Sequence, residues 1–330
     1  MVASLKKNWK TFFVTGFFLL LTLLLLTFPK ESLAYSFTGL QLWFNRMIPT
    51  LLPFMILSAM MIRLNLTGQF VRALSPFLCP IFSIGPNGIY AIIVGFLCGF
   101  PMGAKVVADL LVHNKISEEE AEFLLSFCNN IGPIYFISFV LPTLNLTKKM
   151  PYLLGMYGIP LFYGVFLRYT IYKNTIGIPR TAHPFIKHKA LLLAAEKNKN
   201  IPFLDALDDS VMSGLYSIAK LGGYMVLFNL LNLIPQVFMS GEKIARSSLP
   251  FFNCLLEITS GISRIGDTAP LIVLLFLPFG GFSCLAQTYS MIKDTGLSLK
   301  TYTIHKLILT GLTAMYYGIW KLFSPSSFLL

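Results

Sequence analysis

From Thr11 to Phe28 the chain carries no charged side chain, and as a helix that run is about long enough to cross ~30 Å of hydrocarbon. Lys6, Lys7 and Lys10 stand immediately before it. The same apolar character returns in 37–64, 70–113, 118–147, 150–172, 204–236, 250–293 and 300–323. Only 12% of the side chains are charged, about half the share of a soluble domain. A soluble enzyme, a disordered tail and a disulfide-stapled secreted module are all excluded.

The charges that remain are unbalanced, 26 basic against 14 acidic, for a net charge of +12. They sit in short clusters between apolar runs, with no basic stripe carrying aromatics, so they read as topology signals and nucleic acid is not an expected partner. Cys79, Cys98, Cys128, Cys254 and Cys284 are scattered singly, and His113, His183, His188 and His305 form no ligand pair. No metal, no cofactor and no nucleophile–base pair is therefore expected, and the chain does not read as an enzyme.

Ser32-Leu33-Ala34 resembles a signal-peptidase site, but the preceding apolar run exceeds a usual signal core, so 1–36 is expected to stay as an N-terminal anchor. Two later segments, 70–113 and 250–293, each hold paired apolar pieces meeting at a Gly/Pro-rich point. These read Gly-Phe-Leu-Cys-Gly-Phe-Pro-Met-Gly-Ala-Lys (95–105) and Leu-Phe-Leu-Pro-Phe-Gly-Gly-Phe-Ser-Cys (275–284). Backbone broken at membrane depth must be buried in protein or face a wet cavity, and transporters build sites at such points. Shifting the chain by 181 residues lays Ile84-Gly85 on Ile265-Gly266, Gly99 on Gly280 and Ile116-Ser117 on Leu297-Ser298.

Charge then sets orientation. Arg180, Lys187, Lys189, Lys197 and Lys199 share the cytoplasmic side with the N-terminal lysines only if both broken segments enter and leave on one face. The expected fold is an all-α integral membrane protein with about six full transmembrane helices and two re-entrant helical hairpins, arranged as an inverted repeat. Its parts are the anchor 1–36, a first half 37–172, a basic cytoplasmic linker 173–203 and an inverted second half 204–330, multi-pass in the cell membrane with both termini cytoplasmic. The bilayer and a small polar solute are the expected partners, with a second copy of the chain left open.

Several residues in these breaks could carry chemistry. Asn129, Asn130 and Pro133 interrupt one long apolar helix, which suits either a proline kink with its freed backbone bonded by amides, or a ligand site. Gly99 and Gly103 let the first tip reverse. Lys105 either aims charge at a ligand or pairs with Asp109 one turn away. Ser117 before Glu118, Glu119 and Glu120 reads as a helix N-cap. Gly280, Gly281, Ser283 and Gln287 supply the second tip. Glu257, alone in an apolar stretch, either pairs with Lys220 or carries a coupling proton or sodium ion.

Gly99-Phe-Pro-Met-Gly-Ala-Lys105 with Asp109, Lys115-Ile-Ser with its acidic run, Phe127-Cys-Asn-Asn130 with Pro133, and Leu255-Leu-Glu-Ile-Thr-Ser-Gly261 together resemble the sporulation integral membrane protein YlbJ family. The resemblance runs from about residue 40 to the end. That family belongs to the Gate, or nucleoside-recognition, domain group, which is similar to portions of concentrative nucleoside and ferrous-iron transporters. It implies inverted halves with re-entrant hairpins and a role in endospore formation, in cortex assembly, in a Gram-positive spore former. The expectation is a transporter-like protein that moves or binds a small polar solute between its halves. The alternative is a membrane scaffold for spore-envelope biogenesis that keeps the fold without transport.

Overall fold

The computed structural model describes residues 2–146, 149–173, 202–239 and 243–323. Among them every regular element is helical. In chain order these are α1 (Val2–Thr27), α2 (Pro29–Arg63), α3 (Thr67–Phe70), α4 (Ser75–Phe82), α5 (Pro86–Cys98), α6 (Met102–Val112), α7 (Glu118–Phe127), α8 (Pro133–Thr143) and α9 (Lys149–Tyr169). There follow α10 (Phe203–Met239), α11 (Lys243–Leu256), α12 (Ile258–Ile265), α13 (Pro270–Phe276), α14 (Gly281–Ile292) and α15 (Leu299–Phe323). The basic cluster expected to link the halves, within 174–201, lies outside the described residues.

Proline shapes the long helices in a repeated way. Helices α2, α8 and α9 each contain one π-helical turn, Trp43–Met47, Phe136–Val140 and Leu154–Gly158. Each turn ends two residues before a proline: Pro49, Pro142 and Pro160. A proline has no N–H to offer and its ring presses on the carbonyl four residues back. Here those carbonyls belong to Asn45, Ser138 and Met156, at the centre of each widened turn. Opening the turn to an i→i+5 bond removes the clash without ending the helix.

Helices α2, α9 and α10 and the run Pro270–Ile292 are each long and apolar enough to cross a bilayer. Their outward side chains, among them Phe162, Leu204 and Tyr216, are exposed as lipid-facing groups are. The chain is thus a multi-pass membrane protein in contact with the bilayer, all-helical among its described residues. Helices α4 and α5 would together make a fifth span but bend by 98°. The apolar part of α1 is Thr11–Thr27, α2 runs unbroken from Pro29 to Arg63, and α15 carries the buried pair His305 and Lys306.

Helices α2 and α10 form one long pair. Gly39 lets the α10 backbone at Met225 and Val226 approach, and Trp43 lies over Gly222 while its indole N–H donates to the Ile218 carbonyl at 2.8 Å. Small residues at such contacts let helices close up where lipid gives no hydrophobic drive. At one end Arg63 meets Asp209 at 2.8 Å, with side chains 23% and 59% exposed. Arg63→Ala should therefore cost at most about 1 kcal/mol, read as a small shift in thermal unfolding in detergent micelles. A larger loss would mean the pair sits in a drier place than its exposure indicates.

Helix α6 is buried on every side from Met102 to Ala108, wrapped by α2, α5, α7 and α14. That explains its apolar sequence and makes its single cation exceptional. Lys105 pairs with Asp109 at 2.9 Å and donates to the Ser213 hydroxyl of α10 at 3.3 Å. Of its two sequence readings, the helix-turn ion pair is the one observed. Ser117 caps α7, its hydroxyl accepting from the Glu120 amide at 3.1 Å, as its sequence predicts.

Reversals and breaks

The chain reverses between α5 and α6 at Gly99, whose φ of +87° suits a residue without Cβ. Both arms are far shorter than the ~20 residues a crossing needs. The second reversal is not where the Gly-Gly pair suggests. Pro270–Ile292 runs on as a single apolar stretch through Leu277–Gly280, so Gly280, Gly281 and Ser283 stand at a break in a span and not at a hairpin tip. The chain instead turns back at Glu257, between α11 and α12, where Gly261 lies against the Cys254 backbone and a Cβ there would be 2.9 Å from its Cα. Glu257 leaves the helix with φ −146° and ψ 108°, and its carboxylate caps α12. A capping carboxylate does here what glycine and proline do at the first turn. The residue pairing of Gly99 with Gly280 consequently joins a reversal to a break.

Candidate functional site

The break between α7 and α8 lies in a notch of the first hairpin. Gly95 and Gly103 leave room for the Cys128 carbonyl between the two arms, and Gly132 packs on the Cys98 carbonyl. The chain at 128–132 therefore crosses the hairpin tip backbone to backbone. Its polar groups are met from three sides. The Asn129 side-chain oxygen accepts from the Ala104 amide at 3.2 Å, and its amino group donates to Thr288 Oγ1 at 3.1 Å and to the Tyr302 hydroxyl at 2.8 Å. Asn130 donates to the Phe127 carbonyl at 2.6 Å. Lys306, fully buried on α15, donates to the Asn129 carbonyl and to Asn130 Oδ1 at 3.1 Å.

The second break is built alike. Gly281 sits against the Cys254, Leu255 and Leu256 carbonyls at the end of α11, so the start of α14 crosses the Glu257 reversal. Both Gly280 and Gly281 have positive φ, +79° and +80°. The first tip touches this second break: a Cβ on Gly280 would lie 3.4 Å from Phe100 Cζ.

Between the two tips and the two breaks is a cavity of about 250 Å³. Its wall takes Phe100 from the first tip, Gly132 and Tyr135 from the first break, Glu257 and Thr259 from the second tip, and Gln287 beyond the second break. Helix α2 closes one side with Met47 to Phe54, and Met225 of α10 reaches in. Leu97 and Ile134, 50% and 64% exposed, form its rim. The Glu257 carboxylate is 2% exposed and accepts from the Thr259 amide at 3.2 Å and the Ser260 amide at 2.7 Å. The Tyr135 hydroxyl, buried beside Thr259, makes no hydrogen bond of normal geometry to the protein.

Glu257, Gly280 and Gln287 are thus brought together in one wall, with Ser283 behind them bonded to Gln287 at 3.0 Å. Asn129 and Asn130 lie behind the wall with protein partners, and Pro133 opens α8 between two lining residues, Gly132 and Ile134. Gly99 and Gly103 shape the tip, and Lys105 points away to Asp109 and Ser213. Lys220 does not reach Glu257. Its ammonium lies 4.0 Å over the Tyr216 ring. Sequence reasoning missed Lys306, Tyr302 and Thr288. A lysine in the apolar run of α15 was the available signal, since an intramembrane cation calls for a partner.

No protein-family model matches the chain, and no solved structure matches it. It is similar to the sporulation integral membrane protein YlbJ of Bacillus subtilis (strain 168), 28% identical over an alignment of 343 residues that covers 94% of this chain and 83% of that protein.

Proposed function

We propose that the chain, similar to the sporulation integral membrane protein YlbJ, is a member of that family and moves or binds a small polar solute during endospore formation, in support of cortex assembly. One observation carries the reading: two chain reversals and two helix breaks, each from a different part of the sequence, meet around a single cavity of about 250 Å³. A scaffold has no need to bring four irregular backbone segments to one interior point, whereas solute sites in membranes are built from discontinuous helices.

The two halves are an inverted repeat in this reading. Each runs hairpin, then broken helix, with the tip at Gly99 matched to the tip at Glu257 and the break at 128–132 matched to that at 277–280. Re-entrant hairpins enter from opposite faces, both termini are cytoplasmic, and rocking of one half against the other opens the cavity to each side in turn. Glu257, Gln287, Thr259 and Tyr135 face the solute. Asn129, Asn130 and Lys306 hold the wall from behind.

Leu97→Trp and Ile134→Trp place bulk at the rim, where both residues are already exposed, and should leave folding intact. In a strain lacking its own copy, each variant is expected to accumulate normally in the membrane and to yield heat-resistant spores only at the level of the deletion strain. Wild-type spore titres from both would favour the non-transporting scaffold.

A further inference from the structure

Glu257 is the one acidic side chain in the cavity wall, and that wall includes no lysine or arginine. Neither of the two ion pairs found among the described residues includes it. The titratable groups facing it are Tyr135 of α8, Cys254 of α11 and Cys284 of α14. Two cations lie behind these neighbours: Arg46 of α2, which reaches toward Tyr135 and stacks 5.4 Å over Phe139, and Lys306 of α15, beyond Cys284. Two backbone amides support the carboxylate, one on each oxygen, the Thr259 and Ser260 hydroxyls lie beside it, and all of these donors are neutral.

A carboxylate so placed tolerates its charge when water fills the cavity and loses that compensation when the cavity closes and dries. A metal ion would need about six oxygen ligands. The wall beside Glu257 offers Thr259, Tyr135 and Gln287 among Ile258, Phe100 and Cys284, and among the described residues no three acidic, histidine or cysteine side chains are placed so that they could hold a metal ion.

We propose that Glu257 is a proton-binding site: a carboxylate oxygen takes a proton from the aqueous phase to which the cavity is open and returns it to water when the cavity opens on the other side. Only an O–H bond forms and breaks, and water is donor and acceptor. The link between proton and solute rests on the transport reading above; proton binding itself does not.

The test uses the full chain in lipid nanodiscs with carboxyl-labelled glutamate. Infrared difference spectra between acidic and alkaline buffers should show a protonated-carboxyl C=O band that vanishes in Glu257→Gln and is the same in sodium and choline salts. No band assignable to Glu257, or a carboxylate band that moves with sodium, overturns the proposal. Should Glu257→Gln fail to accumulate, Glu257→Asp replaces it and should shift the band. In sporulating cells Glu257→Gln should behave like the deletion strain; wild-type titres from a well-folded Glu257→Gln overturn the linkage. If the rim tryptophans prove harmless, the transport reading fails while the spectrum still decides whether Glu257 binds a proton.

Discussion

Lys306→Met is expected to destabilise the protein by about 2–4 kcal/mol, seen as a marked fall in thermal unfolding temperature in detergent and in the amount of protein in the membrane. The lysine is 1% exposed and, among the described residues, pairs with no carboxylate. Burying its charge is costly, and replacing buried ion pairs by apolar side chains is sometimes stabilising. The difference lies in what the ammonium holds. It donates to the Asn129 carbonyl and to Asn130 Oδ1 just beyond the C-terminus of α7, where the free carbonyls carry partial negative charge. Methionine leaves two buried acceptors unmet, each worth about 1–3 kcal/mol. It also leaves the end of α7 without its cation, and these losses exceed the relief of removing one charge. Lys306→Met unfolding with the wild type would sink the argument.

The same cluster shows what could and could not be read from the chain. The breaks at 95–105, 128–133 and 277–281 announce themselves through Gly, Pro and paired Asn, residues whose backbone chemistry is local. The reversal at Glu257 has no such composition. A carboxylate two and three residues ahead of the amides it caps looks in sequence like an isolated intramembrane acid, because the capped helix is only Ile258–Ile265. Gly280-Gly281 looked like the tip for the converse reason: positive φ permits a reversal but serves equally for a break between stacked pieces of one span. Which it becomes depends on the neighbouring Cys254–Leu256 carbonyls, more than twenty residues away in the chain. Asn129 was legible as a polar group in a break, yet its partners Ala104, Thr288 and Tyr302 come from three other helices. Long-range pairing of this kind leaves no periodicity to find.

The second large effect belongs to the notch glycines. A Cβ on Gly95 would lie 2.3 Å from the Cys128 carbonyl oxygen and 3.3 Å from Gly103 Cα; one on Gly103 would lie 2.6 Å from that oxygen and 2.9 Å from Asn129 Cα. The closest obstacles are backbone, and the one side-chain atom among them, Asn129 Oδ1 at 3.1 Å from a Cβ on Gly103, is held by the Ala104 amide, so relief requires the hairpin and the break to part. Overpacking usually costs about 1–3 kcal/mol and more where the surroundings cannot give; Gly95→Val and Gly103→Val should reach or pass the upper figure. Parting the two elements also stretches the Asn129–Ala104 bond and displaces Gly132 and Tyr135 in the cavity wall. Both variants should therefore lose spore formation even at reduced temperature, where some folded protein survives. Gly311→Ala is the contrasting case: on α15 nothing lies within 4 Å of its would-be Cβ, so the change should be neutral or stabilising by up to about 1 kcal/mol through helix propensity alone. Equal tolerance of alanine at Gly311 and valine at Gly95, measured by unfolding in detergent, would mean that the hairpin and the break do not touch as described.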